Sequence, residues 1–127
     1  MRWTTILLIA AIVVAAACAR SSQIRDVSID DLHAALGKSD TVVLQIRGNF
    51  ALSDKRSTLP GAVQLSLDDL GKNLDQVRKE ANVYIISEKE QQTINAANIL
   101  ARAKYPFIYR VQGGLSAYLT KYPYMSN

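Results

Sequence analysis

Three residues in this chain have side chains that could do chemistry, and two of them are the only ones of their type. Cys18 is the one cysteine and His33 the one histidine. A single cysteine rules out a disulfide framework within one chain and any multi-cysteine metal site, and a single histidine removes most imidazole-ligand sets. No metal and no cofactor is therefore expected. The third residue is Ser87, which ends the apolar run Val83-Tyr84-Ile85-Ile86 and precedes the polar stretch Glu88-Lys89-Glu90-Gln91-Gln92. A serine hydroxyl becomes a nucleophile only with a base beside it. His33 is expected on the polar side of a different helix, as a solvated surface residue.

Cys18 belongs to a different part of the chain. Met1-Arg2 gives a short positive start, Ile6 to Ala19 is an unbroken apolar or small run, and Arg20 ends it. That run is shorter than the ~20 residues of a bilayer-spanning helix and suits the core of an export signal. Residues 1–20 are thus read as a signal segment and residues 21–127 as one soluble domain. The ending Ala15-Ala16-Ala17-Cys18 resembles a bacterial lipoprotein signal, with cleavage before a lipidated Cys18. A plain signal peptide and a retained single anchor are the alternatives. The chain is accordingly expected outside the cytoplasm, facing the periplasm or cell exterior and attached to a membrane. Two or more acyl chains would hold it stably.

The remaining composition is ordinary: 127 residues, 49% hydrophobic, 20% charged and a formal charge of +4. The positive residues are scattered, with no basic stripe interleaved with aromatics, so no nucleic-acid partner is expected.

The elements that must position Ser87 follow from periodicity. Ser28 with Asp31 forms a capping-box pattern opening a helix that carries Leu32, Ala35 and Leu36 on one face and stops near Gly37. Thr41 to Ile46 is a β-branched run of the kind a buried parallel strand shows, and Val63 with Leu65 marks a second strand. Ser66 with Asp69 opens a helix predicted to run to about Glu80. Val83 to Ile86 is the next strand. Thr93 to Lys104 reads as a helix with Ile94, Ala97, Leu100 and Ala101 on its stripe. Phe107 to Val111 is the last strand, and Gly113-Gly114 turns the chain into a terminal helix around Leu115 to Thr120. Strands alternating with helices require crossovers, hence an α/β fold with a mainly parallel sheet of about five strands and helices on both faces. In such folds the functional site lies at the carboxyl ends of the strands, which is where Ser87 falls.

Over nearly all of residues 24–120 this order resembles the rhodanese family. The family's strand ending in Asp-Val-Arg reads Gln45-Ile46-Arg47 here. Its His-Ile-Pro-Gly-Ala motif reads Thr58-Leu59-Pro60-Gly61-Ala62, followed by Leu65-Ser66-Leu67-Asp68-Asp69-Leu70. Its Gly-Gly plus aromatic helix is similar to Gly113-Gly114-Leu115-Ser116-Ala117-Tyr118. The resemblance implies a small α/β domain and places Ser87 where the family carries its catalytic cysteine. The active-site loop is then Glu88-Lys89-Glu90-Gln91-Gln92, with Thr93 at the helix start and no loop glycine.

Three consequences follow from the resemblance. A serine cannot hold sulfane sulfur or ionise as a thiol does near neutral pH. Glu88 and Glu90 oppose an anion, since a carboxylate about 6 Å away costs roughly 1–3 kcal/mol at dielectrics between water and a protein surface. Without glycine, the loop is less able to aim its N–H groups inward. The expected function is a non-catalytic rhodanese-like module of the cell envelope that binds a protein or small molecule. The Ser87–Gln92 loop and the tyrosines Tyr118, Tyr122 and Tyr124 are the places to look, although core packing accounts for Tyr118. An enzyme using Ser87 and a residual sulfurtransferase are the alternatives.

Overall fold

The computed structural model describes residues 23–47, 59 and 61–122. Cys18, the export segment and Tyr124 lie outside the described residues. Five strands form one sheet: β1 (Gln23–Val27), β2 (Thr41–Arg47), β3 (Val63–Ser66), β4 (Asn82–Ser87) and β5 (Phe107–Val111). Their order is β1-β5-β4-β2-β3, and every pairing is parallel. The fully buried Val83, Ile85 and Ile86 make β4 apolar on both faces, as a strand covered on two sides must be. The sheet, with its helices on both faces, matches the architecture expected from sequence.

The helices are α1 (Ile29–Ala35), α2 (Leu67–Leu70), α3 (Glu90–Arg102) and α4 (Gly114–Lys121). One core lies between the sheet and α2 with α3, built on Leu44, Ile46, Leu65, Leu70, Ile85 and Leu100. The other gathers Leu32 of α1, Leu115 and Tyr118 of α4, Ile86 and Leu59 on the opposite face. Burying each such leucine or isoleucine stabilises by about 1.5–3 kcal/mol.

The first helix follows its sequence signature. The Ser28 hydroxyl accepts from Asp31 N–H at 3.1 Å, and the Asp31 carboxylate accepts from Ser28 N–H at 3.0 Å. The second does not run to Glu80. It stops at Leu70 and is followed by a 3-10 turn at Leu74–Gln76. The reason lies far along the chain: the buried Tyr105 hydroxyl sits 2.9 and 2.6 Å from the carbonyl oxygens of Leu74 and Val77, fixing that segment in a non-helical path. The third helix begins three residues before Thr93, at Glu90. Its buried stripe is Thr93, Ala96, Ala97 and Leu100, so Ile94 and Ala101 stand at its flanks rather than within it. β1 is a strand that the sequence reading left unplaced.

Candidate functional site

Ser87 is the last residue of β4 and is 1% exposed. Its hydroxyl donates to the side-chain carbonyl of Gln92, in the first turn of α3. The backbone N–H of Lys89 approaches the same oxygen at 3.5 Å, and the Thr93 hydroxyl, also buried, donates to the Glu90 carbonyl at 2.6 Å. Because α3 starts at Glu90, only Glu88 and Lys89 lie between strand and helix. Glu90, Gln91 and Gln92, expected in a loop, form the first helical turn instead, and Thr93 lies inside the helix. Glutamate and glutamine favour that turn, and nothing in the segment interrupts it.

A cavity of about 270 Å³ opens beside this junction, lined by Ser87, Glu88, Glu90, Thr93, Gln112 and the Gly113-Gly114 turn. Gly114, at φ +81°, lets the turn pass close to β4: a Cβ there would lie 3.3 Å from the Ser87 carbonyl oxygen. This is why glycine suits the position, which a side chain could occupy only with backbone strain. The Glu88 carboxylate accepts from the Ser116 hydroxyl at 2.8 Å. Glu90 pairs with Arg110 at 3.4 Å, and Arg110 also reaches Asp26 at 3.0 Å. Two buried side-chain nitrogens here, Arg110 Nε and Gln112 Nε2, have no hydrogen-bond partner among the described residues. Arg110 and Gln112 escaped the sequence reading. The signal for Arg110 was a lone cation inside the apolar run Phe107-Ile108-Tyr109-Arg110-Val111.

Chemically, the arrangement orients Ser87 without activating it. Its proton points at a neutral amide oxygen, and an amide is no general base. His33 is engaged elsewhere. Rather than lying free on the surface, it is half-buried, with Nδ1 3.1 Å from the Tyr118 hydroxyl and its ring stacked on Tyr122 at 3.8 Å between centroids. The Tyr122 hydroxyl donates to Asp30, which also pairs with Lys121 at 2.7 Å. Hydrogen bonds from Lys121 and then Tyr122 hold the Asp30 carboxyl below its ordinary value. Burial pushes the Tyr118 phenol up. These contacts dock α4 on α1, and Tyr118 is a fully buried core residue, as its packing role predicts. Tyr122 covers His33.

Arg47 ends β2 and is exposed. Gln45, where the resemblance puts the family's aspartate, is buried, and its side-chain oxygen accepts from Leu59 N–H at 3.2 Å. It thus ties β2 to the segment before β3. Among the described residues, no group of three or more His, Cys, Asp or Glu is placed to hold a metal, and no helix is long and apolar enough to cross a membrane.

Residues 28–121 match the rhodanese-like domain family. Among solved structures, the Alr3790 protein from Anabaena is 21% identical over 75% of this chain and 77% of that one, with a TM-score of 0.64. The reduced CoADR-RHD protein of Bacillus anthracis gives a TM-score of 0.69 at 20% identity, covering 80% of this chain and 18% of that chain. A rhodanese-related protein from Thermoplasma volcanium gives 0.64 at 15% identity, over 76% and 92%. At these identities the likeness shows the fold. No curated protein sequence matches the chain.

Proposed function

The chain belongs to the rhodanese-like domain family, and from that premise we propose that it is a non-catalytic member, exported and membrane-attached, serving as a binding or accessory module of the cell envelope. The observation that carries this reading is Ser87. It is buried, with its hydroxyl committed to Gln92, and the resemblance puts it at the family's cysteine position. Sulfur transfer needs a thiolate that attacks and holds sulfur, and an alkoxide is not accessible near neutral pH without a base. The family's loop is an anion cradle of backbone N–H groups; here most of its residues are wound into α3, where Gln92 N–H already donates to the Lys89 carbonyl at 3.1 Å. Glu88 and Glu90 add negative charge at the cavity mouth, only partly offset by Lys89 and Arg110.

The N-terminal pattern supports attachment, with Cys18 as the lipid site. What remains for the carboxyl-end cavity is recognition of a small molecule or a protein segment, with Gln112 Nε2 free to donate.

The test is direct. The full chain is assayed for transfer of sulfur from thiosulfate to cyanide, and no turnover above a buffer blank is expected. Turnover in the wild type would overturn the reading. Attachment is tested separately by metabolic labelling with a fatty-acid analogue: the wild type should carry the label and Cys18→Ala should not.

A further inference from the structure

We propose that the amino-terminal end of the sheet, opposite the cavity, is a contact surface that seats on anionic phospholipid when the chain is attached by its N-terminal segment. The inference rests on the membrane-attached reading above and adds which end of the domain faces the bilayer and which lipid charge it selects.

The apolar part comes first. Among the described residues the exposed large hydrophobics are Ile24, 40% exposed, and Phe107, 49% exposed. Both stand at the amino ends of neighbouring strands, where Gln23 lies opposite Phe107. Strand alternation sends the two side chains to opposite faces of the sheet, so together they rim one end of it. Solvent exposure of a phenylalanine at a strand start is unremarkable singly; two such residues bracketing the point where the chain enters the fold are a feature of that end.

Charge sorts the same way. The loops and helix ends that feed the strand starts carry exposed Lys38, Arg78, Lys79, Arg102 and Lys104, with Arg25 on β1 beside them. Among the described residues Asp40, Asp75 and Glu80 oppose these six cations. At the carboxyl ends, seven carboxylates face four cations among the described residues. The domain is therefore electrically polar along its strands. An anionic surface attracts its amino end and repels its cavity end.

Reach supplies the third constraint. Cys18 precedes Gln23 by five residues, which span at most about 17 Å when fully extended. A lipid on Cys18 holds the start of β1 close to the bilayer, while the cavity lies one strand length, roughly 16 Å, farther off. Lys104 adds a local sign. It occupies the residue after the α3 cap at φ +65°, where glycine is strongly preferred. Tyr105 N–H to the Leu100 carbonyl at 3.0 Å and Lys104 N–H to the Ala101 carbonyl at 3.0 Å complete the helix-end motif around it. The chain tolerates left-handed strain here and presents a cation at this end.

The experiment is hydroxyl-radical footprinting of the full chain bound to vesicles, with phosphatidylcholine alone or with added phosphatidylglycerol. Oxidation of Phe107 should fall about threefold with phosphatidylglycerol, and that of Tyr122, near the other end, should not change. Each cation removed should weaken the contact roughly fivefold, so Arg102→Glu with Lys104→Glu should restore Phe107 oxidation. Lys104→Gly separates contact from fold, because it should raise Tm while increasing Phe107 oxidation on anionic vesicles. Equal Phe107 oxidation on the two vesicles overturns the inference alone, as does protection already present in neutral detergent, which would mean a second copy covers the face. A chain that floats with neither vesicle removes the membrane-attached reading, and this inference with it.

Discussion

At the carboxyl ends of the strands most charged side chains are tied to a partner, whereas at the amino ends two large hydrophobics and a group of cations stand exposed. Pairing is not absent there: Arg78 donates to the Ser39 carbonyl at 2.6 Å and Asn82 to Asp40 at 3.3 Å. Ser87 is spent on Gln92, Glu88 on Ser116, Glu90 and Asp26 on Arg110, and Asp30 on Lys121 and Tyr122. At the other end Ile24 and Phe107 stand exposed, with cations around them. In a parallel α/β fold the carboxyl end is where a site is expected. The difference teaches that the two ends of one sheet can carry opposite charge and different degrees of side-chain pairing while the carboxyl end keeps its cavity.

Substitutions at the two ends should separate them, in descending order of effect. Tyr118→Ala removes a fully buried ring beneath α4 and should cost about 3–5 kcal/mol in denaturant titration. Tyr118→Phe, losing only the His33 hydrogen bond, should cost about 1 kcal/mol. Gly114→Ala forces a side chain into left-handed backbone against the Ser87 carbonyl and should cost about 1–2 kcal/mol. At the amino end the mirror-image change reverses sign: Lys104→Gly should stabilise by about 1 kcal/mol, seen as a higher Tm. A loss at Lys104→Gly would mean its side chain supports the fold, and the contrast between the ends would fail there.

The smallest effect is one of pH. The Asp30 carboxyl is held below its unfolded value of 3.8 by Lys121 and Tyr122. Its folded pKa is the lower one, so its contribution to stability is present above that unfolded value and is lost as pH falls through the folded pKa. The stability gap between wild type and Asp30→Asn should be full at about pH 6 and close as the acid limb is descended. A gap that persists unchanged through the acid limb would show that the carboxylate charge is not what docks α4 on α1.

The fold was legible because its signals were local. The Ser28–Asp31 cap, the apolar β2 and β4 and the Gly113-Gly114 turn each declare themselves within a few residues. What escaped was set elsewhere. β1 is an edge strand with four of its five residues exposed, so Gln23 to Val27 has no apolar run to betray it. The early end of α2 depends on Tyr105, about thirty residues away. The start of α3 was legible in principle, since Glu90-Gln91-Gln92 are helix formers, but the family spacing pointed to a loop. At the site, Ser87 and its flanking carboxylates were read from the chain. The partnership of Ser87 with Gln92 and the unpaired nitrogens of Arg110 and Gln112 needed the third dimension.

The most direct test of the proposed non-catalytic reading is to place a cysteine at residue 87, where the resemblance puts the family's nucleophile. A Ser87→Cys variant of the full chain is incubated with thiosulfate, and residue 87 is examined by tandem mass spectrometry, which separates it from Cys18. With most of the loop wound into α3 and two carboxylates at the cavity, we predict an unmodified thiol at residue 87 and no transfer to cyanide. A persulfide at residue 87, with turnover, would contradict this and show a working anion cradle lacking only its sulfur.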